Sequence, residues 1–140
     1  MRLFAAAHCD PDGGHDWRGG LQVSGAGPCA VPAFEALFGI VTAVAKRPLD
    51  VHCRHYPRLG HDEGRLLQLI SLLQHGQLCA ARDVLSEWLP PTAVRLAVLP
   101  AKGLAAALVR ARLFVPLREL NVEKAEQIFR PTHLGSALVH

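Results

Sequence analysis

Apolar residues recur at intervals of three and four through residues 61–112, in the runs HDEGRLLQLISLLQHG, QLCAARDVLSEWL and PPTAVRLAVLPAKGLAAALVRAR. That spacing lines up side chains on one face of an α-helix. In the first run Leu66, Leu69, Ile70 and Leu73 make the stripe, broadened by Leu67 and Leu72. Asp62 and Glu63 fall in its first turn, where carboxylates meet the positive end of the helix dipole. His75-Gly76 ends it. The second run places Leu78, Ala81, Leu85 and Trp88 on one side, and Arg82, Asp83, Ser86 and Glu87 largely on the other. A link of two or three residues makes these two helices antiparallel or sharply angled neighbours. In the third run Pro91 suits a first helical turn. Val94, Ala97, Ala101, Leu104 and Leu108 share a face, and Pro100 predicts a kink or a division, because it removes a backbone donor and crowds the preceding turn.

Upstream, a further helix is predicted to open near Pro32, with Phe34, Leu37, Phe38, Val41 and Val44 at helical spacing. Ala33, Ile40 and Ala45 widen this stripe to most of the circumference, which predicts a helix central to the core. Gly39 predicts a close crossing at that point. Lys46 and Arg47 suit the C-terminal end, and Pro48 stops the helix. In the connector 48–60, PLDVHCRHYPRLG, apolar and polar residues alternate enough for a short strand; an extended loop packed on the helices is favoured because no partner strand is evident. Six of the twelve glycines precede Pro28. Their density predicts a flexible arm over residues 1–28, with Leu21–Val23 extended at most. Asn121 caps a short final helix, VEKAEQIFR, supported by a Glu126–Arg130 pair, and 131–140 form a tail. The pattern predicts an all-α fold: a small bundle of four or five helices over residues 29–130, behind the arm.

Composition narrows this modestly. A chain of 140 residues is one domain long and buries enough surface for a core without staples. Half of it is apolar and 19% charged, which argues against gross disorder. A net charge of +3 leaves nucleic acid and acidic partners open. The four cysteines, at 9, 29, 53 and 79, form no C-x-x-C pair and are too sparse for a disulfide scaffold. They read as thiols; in the absence of a metal role, Cys29, Cys53 and Cys79 read as small core hydrophobes. The start, MRLFAAAHCD, is too short for a signal-peptide core, and the longest uncharged apolar helical run, ALFGIVTAVA, has ten residues. A reduced, cytoplasmic, soluble protein without a membrane span is expected.

Two stretches suggest chemistry. His8-Cys9-Asp10, with Asp12, His15 and Asp16, is one cluster, and His52-Cys53-Arg54-His55, with His61 and Asp62 a few residues on, is another. Imidazole and thiolate are the ligands zinc prefers, so His52, Cys53, His55 and Cys9 are the candidate metal ligands if the arm folds over the connector. A low-pKa thiol at Cys53, beside Arg54 and the histidines, is a related option. The alternative is that the histidines are solvated loop residues. The second stretch is cationic. No acidic residue lies between Glu87 and Glu119, while Arg95, Lys102, Arg110, Arg112 and Arg118 do. On a helix running through Pro100, Arg95, Lys102 and Arg110 share an arc of about 80°, opposite Leu104 and Leu108. This stripe suits phosphates or an acidic protein surface, and equally a plain solvated face. Asp62-Glu63, read as acid and base, is explained as readily by a helix N-terminus, and no nucleophile–base–orienter set assembles.

The order of elements resembles winged helix-turn-helix regulators. RLLQLISLLQHG is similar to their first helix and turn, ARDVLSEWLPPTAVRLAVL to the two reading helices, and KGLAAALVRARL to the approach to a wing. The resemblance implies DNA binding. The chain departs from the pattern in having no glycine turn between Leu85 and Thr92, in carrying Pro100, and in the shortness of any wing. HCRHYPRLGHDEGRLLQLI also resembles a Cys/His-rich stretch ending in Pro-Arg before an Asp-Glu-opened helix in small helical bacterial proteins. That likeness implies a shared structural unit containing Cys53, Pro57, Arg58, Asp62 and Glu63, and no activity. The leading expectation is a non-enzymatic protein acting through protein contacts, as a homo-oligomer through an apolar helix face or with another protein, with no catalytic residues and no cofactor. DNA binding and zinc binding are the alternatives.

Overall fold

The computed structural model describes residues 1–117, and these are all-helical. Six helices follow in order: α1 (Arg2–Cys9), α2 (Trp17–Val23), α3 (Ala30–Val44), α4 (His61–Gln74), α5 (Leu78–Trp88) and α6 (Pro91–Arg110). The final helix and tail expected after Asn121 lie outside the described residues.

α3 and α6 form the centre. Phe34, Leu37, Phe38 and Val41 of α3, with Val94, Ala97, Ala101 and Leu104 of α6, are buried in one cluster. α4 and α5 pack on α6 and on each other through Leu66, Leu69, Ile70, Ala81, Leu85 and Trp88. Fully burying a side chain such as Leu37 or Leu69 stabilises by about 1.5–3 kcal/mol, so the interdigitated stripes carry the fold. The small residues of α6 allow the close approach. A Cβ at Gly103 would meet Ala33 Cβ at 3.5 Å. The close crossing predicted at Gly39 is corrected: Gly39 is exposed, and a Cβ there would meet nothing within 4 Å.

Pro100 does not divide α6, which runs for 20 residues. Tertiary packing on three neighbouring helices outweighs the one backbone bond that proline removes. Undivided, α6 is long and apolar enough to cross a membrane by length and composition, unlike the ten-residue run in α3; here its apolar side packs on α3, α4 and α5.

Two helices, α1 and α2, form within residues 1–28, where loop or at most a short extended piece was expected. An aromatic cluster seats both on α3. Phe4 meets Trp17 edge-on at 5.4 Å between ring centroids and Phe34 at 5.5 Å, and Phe34 stacks on Phe38 at 4.5 Å. Asp16 caps α2 by accepting the Gly19 N–H at 2.8 Å. The approach is so close that a Cβ at Gly19 would lie 2.0 Å from Asp16 Oδ2, which is why a glycine inside this helix is tolerated. Leu21–Val23 is helical, not extended. The connector 48–60 contains no strand and follows an irregular path, as favoured from its sequence. All four cysteines are free and exposed, so Cys29, Cys53 and Cys79 are not core residues.

Candidate functional site

Among the described residues, polar side chains gather at the N-terminus of α4, in the cleft between α1 and the connector, and on the outer face of α6.

At the first, Asp62 is fully buried and Glu63 nearly so. Arg47, just past the end of α3, donates to both Asp62 carboxylate oxygens at 2.7 Å. Trp88 Nε1 donates at 2.8 Å, and the Asp50 backbone N–H donates as well. Burial alone would raise the Asp62 pKa, but these donors outweigh it and hold it at about 2, below the usual 3.8. Glu63 follows the same pattern: burial opposes its charge, while Arg2 and the Gly60 N–H hold its carboxyl below the usual range. The Gly60 N–H reaches Glu63 Oε2 at 2.6 Å, the half of a capping box that a glycine N-cap can supply. A Cβ at Gly60 would stand 2.5 Å from the Asp50 carbonyl oxygen, so the connector passes too close for any other residue. Asp50 in turn accepts the His61 N–H at 2.8 Å.

Arg2 fastens α1 to the same place. It pairs with Glu63 and donates to the Tyr56 carbonyl at 2.7 Å and to the Arg58 carbonyl. The acidic pair thus accepts from α1, from the segment after α3, from the connector and from α5. The helix-end reading of Asp62-Glu63 accounts for this position, and four donors from the fold occupy the lone pairs of Asp62. Sequence reasoning missed Arg2, Arg47, Asp50 and Trp88 as partners, because nothing in local spacing couples residues 15, 26 or 61 positions apart.

At the second place, Cys9, His52, Cys53 and His55 line one cleft of about 440 Å³, together with His15, Arg2 and Arg54. α1 does therefore lie over the connector. Among the described residues, however, no three His, Cys, Asp or Glu side chains converge closely enough to hold a metal ion. The ring nitrogens of His52 are engaged elsewhere, Nδ1 with the Arg58 carbonyl at 3.1 Å and Nε2 facing Asp50 at 3.7 Å. Its ring packs edge-on against Tyr56 at 4.4 Å. The guanidinium of Arg54 also lines the wall, and that of Arg2 is committed to Glu63.

At the third place, Arg95, Lys102 and Arg110 are all exposed on one continuous helix. Leu104, opposite them, is buried and Leu108 packs against the core. Leu99 is 77% exposed and Leu96 68% exposed. At 100° per residue, Leu99 and the exposed Ala106 fall inside the arc of the three cations, with Leu96 about 40° beyond its edge. None of the three cations pairs with a described residue. This face therefore combines apolar surface with positive charge that the rest of the described chain does not neutralise.

Comparison with protein families, with curated proteins and with solved structures finds nothing that matches this chain.

Proposed function

We propose that this protein is a non-enzymatic helical binding module whose outer α6 face docks an acidic, amphipathic segment of a partner protein. The observation that carries this reading is the exposure of Leu96 and Leu99 among Arg95, Lys102 and Arg110 on one continuous helix. Apolar side chains on a helix are normally turned inward, and the inward side of α6 is already fully supplied by α3, α4 and α5. About 22 Å separate Arg95 from Arg110 along the axis, room for four turns of a partner helix. Leu99 and Ala106 supply the seam of such a contact, and the cations select carboxylates on the partner.

A homodimer through this face is the weaker form of the proposal. Two-fold pairing of the same surface sets Arg95, Lys102 and Arg110 against their own copies, a like-charge arrangement that opposes association. The near-continuous apolar surface of α3, the other candidate for self-association, packs largely on α6.

The winged-helix likeness gives the rival reading, in which the same cations meet phosphate. A helical peptide with Leu and Glu at heptad positions and a duplex DNA of mixed sequence separate the two. In fluorescence anisotropy at low salt, the acidic peptide is expected to bind and Arg95→Glu with Lys102→Glu to abolish binding. Binding of DNA with a steep salt dependence, and none of peptide, would establish the rival.

A further inference from the structure

A further cavity adjoins the first two of these places, sharing Arg47 with the first and Ala5, Cys9 and Val51 with the second. It measures about 710 Å³ and opens between α1, the C-terminal half of α3 and residues 45–51. Its floor is apolar, made by Phe4, Phe38, Val41, Leu49 and Val51. Its volume falls in the range of about 300–1,000 Å³ that small-molecule sites occupy.

The charge of its wall is one-sided. Lys46 and Arg47 line it, and no Asp or Glu does. Arg47 is committed to Asp62. Lys46 is not committed in this way: its ammonium donates once, to the Ser86 carbonyl at 2.9 Å, and pairs with no described carboxylate. Two of its three N–H groups therefore remain for a ligand. An apolar floor with a cation at the rim and no anion anywhere in the wall selects a molecule that is apolar along most of its length and negative at one end.

We propose that this cavity binds a medium-chain fatty carboxylate, its acyl chain lying on Phe4, Phe38 and Val41 and its carboxylate meeting Lys46. The site shares no residue with the outer face of α6, so either proposal stands or falls without the other. Affinity grows with chain length until the floor is covered, by about fourfold for each methylene buried. The carboxylate adds a charge-assisted hydrogen bond that the corresponding alcohol lacks.

The test is displacement of 11-(dansylamino)undecanoate from the full chain by octanoate, decanoate, dodecanoate and dodecanol. The expected result is affinity rising along the acid series, with dodecanoate at least tenfold tighter than dodecanol. Lys46→Met removes that preference and leaves dodecanol unchanged. Thr42→Trp, which projects an indole into the cavity from an exposed position on α3, abolishes binding of the acids with thermal unfolding otherwise preserved. Ala5→Trp fills the same space from α1 and serves if the α3 variant does not fold. Equal binding of dodecanoate and dodecanol, or undiminished binding in a folded filled variant, overturns the proposal. So does a dimer in sedimentation that the filled variant dissociates without any acid having bound, since a second copy is then the occupant.

Discussion

Trp88 donates its indole N–H to Asp62 at 2.8 Å, both side chains fully buried, and so ties the end of α5 to the start of α4. The same tryptophan accepts the Lys46 backbone N–H at its carbonyl, at 2.8 Å, which brings in the end of α3. Three helix ends therefore meet at one carboxylate, and the consequences are measurable.

Removing the acceptor is expected to be costly. Asp62→Ala leaves the Trp88 indole N–H buried without a partner and releases Arg47. The expected loss is about 3 kcal/mol, at the lower end for breaking a buried pair because Arg47 is 41% exposed. Trp88→Phe removes one charge-assisted bond and some packing, and about 2 kcal/mol is expected. A double-mutant cycle by urea denaturation checks the link: the two losses should fall short of additivity by at least about 0.5 kcal/mol, whereas strict additivity would show that the pair is not coupled.

Acid should unfold the protein through the same residue. Asp62 titrates at about 2 in the folded chain against 3.8 ordinarily, a depressed value. Its contribution, about 2 kcal/mol, is therefore fully present above pH ~4 and is lost as the pH falls through about 2. Glu63 is lowered too and acts in the same direction. Denaturant midpoints measured from pH 5 down to pH 2 should fall steeply in the native chain and less steeply in Asp62→Asn. Parallel curves would contradict the assignment.

Gly60→Ala should destabilise, although the backbone conformation there suits any residue. The added methyl carbon would stand 2.5 Å from the Asp50 carbonyl, and the connector must shift away from α4 to admit it. A cost of about 1–3 kcal/mol is expected. A variant as stable as the native chain would mean that the connector is not held closely against Gly60.

Ser71 offers the opposite case. It is 2% exposed, and its hydroxyl has no hydrogen-bond partner among the described residues. Ser71→Ala should be neutral or stabilising by up to about 1 kcal/mol, because a buried hydroxyl without a partner carries a desolvation cost. A loss of more than about 1 kcal/mol in thermal unfolding would mean that the hydroxyl has an acceptor.

These cases mark what was legible in the sequence. Stripes such as Leu66, Leu69 and Ile70 or Val94, Ala97 and Ala101 foretold α3 to α6 because burial of one helical face is written locally, at intervals of three and four. α1 and α2 were not legible. WRGGLQV has poor helix propensity, and it is helical because Trp17 packs on Phe4 and Phe34 and Asp16 caps its first turn. An Asp immediately before a Trp was the available signal, and glycine density masked it. The acidic first turn of α4 was visible, but its partners come from four separate segments. The basic stripe of α6 was visible as an arc; that Leu99 stands exposed within it depends on how α3, α4 and α5 surround the helix.

The most direct test of the proposed function places a photo-crosslinking amino acid at Leu99, in the protein expressed in its own cells. Mass spectrometry of the product should identify a dominant protein partner whose crosslinked segment is acidic and amphipathic. Arg95→Glu with Lys102→Glu should abolish that product without changing thermal unfolding. Crosslinking to nucleic acid alone, or a product undiminished by the double charge reversal, would contradict it.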